Sequence, residues 1–303
     1  MSRCLLIHRG GLGDFFMAWP SLLRIREYFS GQRVFWGGPS SRLHWLLPLG
    51  IEPSPPELRR GVDTLFVRDR WPEELEGVRV FWFALDTPPP VPASSCVHVL
   101  FGIDHCKEGK ISPRDAYARQ LNTMEIPDEP AWLSIWRKHF GVMDRHRRCQ
   151  GEVLLFPGAG HPAKQWPLVQ FFELAGWLQR IGHAVRFVLG PVEQERRVDI
   201  PGFSASFPGS LENLQEVLQS ARFVVGNDSG PMHLAGMMGV PGLALFGPAS
   251  DAQWGPIGLR TIALDLACRP CTQTGRISCS EARCLREMPQ AMVREEVGKL
   301  LAE

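Results

Sequence analysis

No charge of either sign dominates this sequence. Its 33 Lys and Arg stand against 32 Asp and Glu, a formal balance of +1 over 303 residues. A whole-molecule field that would gather nucleic acid is therefore missing, and no nucleic-acid partner is expected. The chain is 44% hydrophobic and 21% charged, which excludes disordered, collagen-like and coiled-coil classes. A membrane-spanning run is missing too. Residues 229–250 carry no Asp, Glu, Lys or Arg, but five glycines, three prolines and His233 interrupt them. The start, Met1–Arg9, has an apolar run too short for a secretory leader. A cytoplasmic protein is expected, whose eight cysteines are free thiols or metal ligands rather than disulfides. Phe16 stands where the third glycine of a dinucleotide fingerprint belongs. No Gly-Lys-Ser/Thr and no His-Glu-x-x-His occur either, so a nicotinamide dehydrogenase, a P-loop and a catalytic metal are not indicated.

What is present is strand alternating with helix. The length suggests two domains. In the first half, strands are expected at 4–8, 34–36, 62–67, 78–85 and 97–101. A helix is expected from Asp14 towards Phe29, kinked or restarted at Pro20, with further helices near 114–124 and 130–140. Residues 86–95, rich in proline, read as a loop. The charged stretch Asp144–Arg148 is a linker or an exposed helix end. The alternation then restarts, with strands at 153–156, 184–189, 223–225 and 242–246. Helices are expected after Leu168, near Val192, behind a Ser210 cap, from Pro231 and over 289–301. Two doubly wound α/β domains with parallel sheets follow from this order.

Three strand–loop–helix islands could carry chemistry. In 5–20, the glycines Gly10, Gly11 and Gly13 let backbone approach a ligand, and Asp14 opens the helix. Asp14 is either a site carboxylate or simply a helix cap. In 154–167, Lys164 lies on a loop shaped by Gly158 and Gly160, a place to hold phosphate. It is equally a solvated surface lysine. In 223–236, Asp228 and Ser229 can cap a helix with Pro231 in its first turn. The first-turn N–H groups, Ser229 and His233 would converge on a pyrophosphate, while Gly236 and Gly239 allow close packing. A fourth island, Cys268, Cys271, Cys279 and Cys284, opens with a C-x-x-C knuckle. It is either a structural zinc site or a set of packed free thiols, the second being the default.

Taken together, these islands resemble glycosyltransferase family 9, the lipopolysaccharide heptosyltransferase group. The resemblance rests on Gly13-Asp14 with Pro20, on Phe156-Pro157-Gly158 with Lys164-Gln165-Trp166-Pro167, and on Gly226–Ala235. Phe246-Gly247-Pro248 and the cysteine quartet with Leu285 also fit. Residues 30–150 match poorly.

The resemblance implies a GT-B architecture, two Rossmann-like domains facing across a cleft. Residues 1–148 would receive the acceptor and residues 149–288 the nucleotide-sugar. The helix at 289–303 would pack back on the first domain. It implies an inverting, metal-independent transferase without a cofactor. The donor would be an ADP-sugar, most simply ADP-heptose. The acceptor would be a lipopolysaccharide core or related glycolipid, met by peripheral contact with the inner membrane face. Asp14 would be the general base, with Gly11 and Gly13 in the acceptor loop. Gly158, Lys164, Glu193, Asp228, Ser229, Gly230 and His233 would bind the donor. Ala159 and Gly160 stand where many relatives carry hydroxyl side chains. The rival readings are another GT-B enzyme, such as a nucleotide-sugar epimerase, and a non-catalytic nucleotide-sugar-binding protein.

Overall fold

A computed structural model describes residues 3–65, 70–86, 94, 96–103, 111–142, 151–271, 277, 279 and 281–302. The chain divides into two compact units, Met1–Leu133 and Ser134–Glu303. The expected linker at 144–148 lies outside the described residues. The division falls earlier than 148/149 because the helix that follows Leu133 is anchored in the second unit. There Arg137 donates to the carbonyls of Gly236 and Met237 at 3.3 and 3.1 Å.

The first unit runs β1 (Arg3–His8), α1 (Leu12–Tyr28), β2 (Arg33–Trp36), β3 (Ile51–Pro53), α2 (Pro56–Thr64), β4 (Val78–Ala84), β5 (Val97–Phe101) and α3 (Pro113–Thr123). A 3-10 turn, Ser40–Trp45, lies between β2 and β3. The strand order is β3-β2-β1-β4-β5, parallel throughout. Helix α4 (Trp132–Phe140) straddles the division. The second unit continues with β6 (Val153–Phe156), α5 (Leu168–Arg180), β7 (Val185–Val188), α6 (Pro191–Glu195), β8 (Ser204–Ser206), α7 (Leu211–Gln219), β9 (Phe223–Asn227) and α8 (Gly230–Met238). It ends with β10 (Gly242–Phe246), α9 (Asp251–Trp254), β11 (Arg260–Ala263), α10 (Arg283–Arg286) and α11 (Gln290–Ala302). Its order, β11-β10-β9-β6-β7-β8, is again parallel. Both sheets are doubly wound, as expected.

Three expectations change. Pro20 does not restart α1, which runs unbroken from Leu12 to Tyr28. The residues from Phe15 to Ile25 are all buried, and that burial outweighs the ~3 kcal/mol cost of a proline inside a helix. Residues 62–64 end helix α2 instead of opening a strand, and 66–67 lie outside the described residues. Leu58, Val62 and Leu65 fall at helical spacing on one core face, and Pro56 supplies the helix start. Helix α11 buries Val293 and Val297 in the second unit's core, against α5 and β10. Gly239 is the left-handed C-cap of α8 at φ 84°, so only Gly236 serves close packing. Strands β3, β8 and β11, each of three or four residues at a sheet edge, were not anticipated. Runs that short carry too little periodicity to read.

Gly236 lies inside α8, where a Cβ would run into the Ile257 carbonyl. Gly236→Ala should therefore lower unfolding free energy by about 1–3 kcal/mol in urea titrations. Gly176, inside α5, faces only the Arg180 guanidinium at 3.9 Å. Gly176→Ala should stabilise by about 0.5–1 kcal/mol, the ordinary helix preference for alanine. Equal effects at the two glycines would refute this packing of α8.

Candidate active site

In each sheet the strand order reverses at one place, between β1 and β4 in the first unit and between β6 and β9 in the second. Loops leaving the carboxyl ends of strands at such a reversal turn to opposite faces and open a crevice. Asp14 follows β1. Lys164 follows β6, and Asp228 and Ser229 follow β9. The chemistry-bearing islands thus lie at the two switch points.

In the first unit, Gly11 is the N-cap of α1, and its N–H donates to Asp14 Oδ2 at 2.8 Å. Asp14 therefore does cap the helix, one of the two roles open to it. The loop is wrapped tightly. A Cβ on Gly10 would stand 3.0 Å from both Asp14 Oδ2 and the His8 ring, and one on Gly11 3.3 Å from Asp14 Oδ2. Gly13 lies in the first turn of α1. Arg42, from the 3-10 turn, donates to the carbonyls of Gly11 and Gly10 at 3.2 and 3.3 Å. His8, at the end of β1, is buried. Burial first, then the Arg42 charge, pushes its pKa down to about 3, so the imidazole is neutral. Beside this loop opens a pocket of about 460 Å³, lined among others by Arg9, Trp36, Ser40, Arg59 and Asp63.

In the second unit, Lys164 Nζ donates to Asp228 Oδ2 at 2.7 Å, and Asp228 is buried. The lysine is thus neither solvated surface nor aimed at open space. Asp228 answers it instead of capping α8. Ser229 is the N-cap of α8 by position, yet its side chain makes no capping bond. Its Oγ is buried without a hydrogen-bond partner. Gly230 and Pro231 begin the helix, and His233 is buried in its first turn. Glu193 caps α6, accepting from the Gly190 N–H at 3.0 Å. Its carboxyl group also lies against Gly158, where any Cβ would come within 2.7 Å. A side chain at Gly158 would displace the Glu193 carboxyl group. A pocket of about 300 Å³ adjoins, lined among others by Pro162, Trp166, Glu193, Arg196 and Arg286.

Asn227 lies in the Gly226–Ala235 string, where the sequence marks no role for it. It is fully buried, donates to the Pro157 carbonyl at 2.7 Å, and accepts from the Trp166 N–H at 2.9 Å. One amide thereby ties both ends of the Lys164 loop to β9. Arg269 was also missed. It donates to the carbonyls of Gly247, Leu264 and Ala249 and holds the loop after β10. Neither role has a local signal, since partner and residue are distant in sequence.

No disulfide joins the four quartet cysteines. Cys271 Sγ donates to the Cys268 carbonyl at 2.9 Å. Burial and the neighbouring thiols raise the Cys271 pKa; burial raises that of Cys284, with Arg269 opposing. Among the described residues no three His, Cys, Asp or Glu side chains gather as a metal would require.

The neutral His8 makes stability depend on pH. In the unfolded chain it takes a proton near pH 6.5, while in the folded chain it resists until about pH 3. Stability is therefore lost as pH falls below 6.5. Between pH 7 and 5.5 the chain should lose about 1 kcal/mol more than His8→Gln does in urea unfolding. Parallel pH slopes for the two proteins would show that His8 titrates freely.

The family model of glycosyltransferase family 9 (heptosyltransferase) matches residues 137–284. The chain is 29% identical over 159 residues to the lipooligosaccharide heptosyltransferase 2 of Campylobacter jejuni, covering 48% of this chain and 50% of that protein. It is 35% identical over 126 residues to the lipopolysaccharide heptosyltransferase 1 of Pseudomonas aeruginosa, covering 39% of this chain and 36% of that protein. The match to the Campylobacter protein thus spans about half its length. In structure the chain resembles the E. coli heptosyltransferase WaaC solved with ADP, at a TM-score of 0.62 and 15% identity, over 98% of this chain and 99% of that one. That likeness extends the GT-B fold over both units. Over residues 137–284, which hold the Lys164–Asp228 pair, the chain is similar to glycosyltransferase family 9 (heptosyltransferase).

Proposed function

We propose that this chain is an inverting glycosyltransferase that moves a heptose from an ADP-activated donor to a lipopolysaccharide-core or related glycolipid acceptor. The observation that carries the reading is the second unit's switch point. A lysine, a helix N-terminus and an unpartnered buried hydroxyl stand there together. Such a place suits a diphosphate, since N–H dipoles and one cation answer its charge. Lys164 exchanges its Asp228 partner for a phosphate oxygen when donor binds. The α8 N-terminus, from Gly230, and Ser229 receive the rest, with His233 beside them. Placed charge of this kind stabilises a departing diphosphate without a metal ion. Gly158 and Glu193 line the approach, where a carboxylate can accept from ribose hydroxyls.

The first unit receives the acceptor, and the pocket beside Arg9 and Arg59 suits an anionic sugar. Asp14 is the general base. It takes the proton of the attacking hydroxyl late in the transition state, when that oxygen has become acidic. A carboxylate capping a helix is a weak base in the ground state, which agrees with a late transfer. Gly11 and Gly13 leave the backbone room for the acceptor. Work at the cytoplasmic face of the inner membrane would follow from a glycolipid acceptor. Among the described residues no helix is long and apolar enough to cross a membrane.

Asp14→Asn should cut the transfer rate by about 10²–10⁴-fold while leaving ADP binding unchanged. Lys164→Ala should weaken ADP binding by about tenfold or more in calorimetry, as expected for a lost charge-assisted bond. Asp228→Asn, which frees the lysine, should not weaken it. ADP affinity untouched by Lys164→Ala would remove the diphosphate role. Free epimerised donor formed without acceptor would replace transfer by epimerisation. Activity lost to chelator and restored by zinc or magnesium would overturn the metal-free route.

A further inference from the structure

The glycine loop before α1 is held from outside by one side chain. Arg42 comes from the 3-10 turn after β2, far from the loop in sequence. It is only 8% exposed. Its two terminal nitrogens reach the Gly11 and Gly10 carbonyls at 3.2 and 3.3 Å. Its guanidinium carbon lies 5.1 Å from the centre of the Phe15 ring, so the group is stacked as well as hydrogen-bonded. Its Nε is buried without a hydrogen-bond partner. A guanidinium sequestered like this is costly, and an apolar side chain over Phe15 would pack at less cost. The charge is therefore kept for what it does to its surroundings.

Those surroundings converge on Asp14. The Gly11 carbonyl held by Arg42 also accepts the Phe15 N–H at 3.1 Å, and the Gly11 N–H binds Asp14 Oδ2 at 2.8 Å. Moving either glycine moves the carboxylate. Asp14 also lies within electrostatic reach of Arg42. Two of the titratable groups near it, His8 and Tyr117, bring no charge. His8 is neutral, and Tyr117, buried and donating to the Ala84 carbonyl at 2.9 Å, has its pKa raised by burial and by Asp14 itself.

We infer that Arg42 is the positioning residue of the Asp14 carboxylate: it fixes the Gly10–Gly11 loop that orients Asp14 and brings a buried positive charge within reach of it. The inference rests on the reading of Asp14 as the base only for its consequence in catalysis. The hold on the carboxylate can be tested without substrate.

The test is a carbon NMR titration of the full chain carrying labelled aspartate, with the Asp14 signal assigned by its loss in Asp14→Asn. Arg42→Met keeps apolar cover over Phe15 and removes charge and donors. It should make Asp14 about tenfold harder to ionise, raising its midpoint by roughly one pH unit. Arg42→Lys keeps the charge but not the two-pronged grip. It should leave the midpoint near that of the parent while still slowing transfer. With ADP-heptose and acceptor, the acid limb of kcat should move upward with the NMR midpoint in Arg42→Met, and KM for ADP-heptose should hold. A merely structural arginine would lower thermal stability and move neither midpoint nor limb. That result, or an Arg42→Lys midpoint shifted as far as that of Arg42→Met, overturns the inference. If Arg42→Met does not fold, the lysine variant decides alone, by slowed transfer at an unmoved midpoint; a parental rate overturns the inference. A shifted midpoint together with an active Asp14→Asn would remove the base and leave the Arg42 hold standing.

Discussion

Parallel strands that reverse their order once constrain everything else in this chain. At β1/β4 and at β6/β9 the loops depart to opposite faces, which opens a crevice between them. Helix N-termini open beside these gaps, with N–H groups that lack intrahelical partners. Each unit meets that demand in its own way. The first answers it with a side chain, because the Asp14 carboxylate caps α1. The second leaves it open, because the Ser229 hydroxyl makes no capping bond and Asp228 is engaged by Lys164. A helix terminus left uncapped beside a cation is suited to an anion from outside.

The loops that carry these groups are held rigid by buried polar side chains reaching from elsewhere. Asn227 uses both ends of one amide, on the Pro157 carbonyl and on the Trp166 N–H. Arg42 grips two glycine carbonyls, and Arg269 three carbonyls around the end of β10. Each buried donor that loses its partner costs about 1–3 kcal/mol. Loop position is thereby coupled to the stability of the fold. Glycine serves the same end by absence. At Gly158 the Glu193 carboxyl group occupies the space a side chain would take.

Much of the fold and part of the site were legible in the residues. The core strands β1, β4, β6, β9 and β10 are apolar runs ended by glycine or polar turns, and their periodicity is strong enough to read. Edge strands of three or four residues were not, and α2 was misread in part because Val62 and Leu65 suit a strand as well as a helix face. Pro20 misled in the opposite sense, since a local rule met a helix buried along its length. Asp14, Lys164, Asp228 and Ser229 could be singled out as candidates because each follows a strand and glycine in a recognisable string. Arg42 was not, since a lone arginine in 40–45 has no pattern that marks it.

The order of strands and helices, the glycine loops and the types of the site residues were determined by the sequence itself. They depend on local periodicity, on backbone freedom and on side-chain chemistry within a few residues. Tertiary structure alone decided which groups answer one another. That Lys164 meets Asp228 across 64 positions, that Arg42 reaches the glycine loop across 31, and that α11 is spent on the second unit's core all depend on chain reversals that bring distant residues together. Their energies arise only after burial removes water from both partners, and no local run of residues encodes that event.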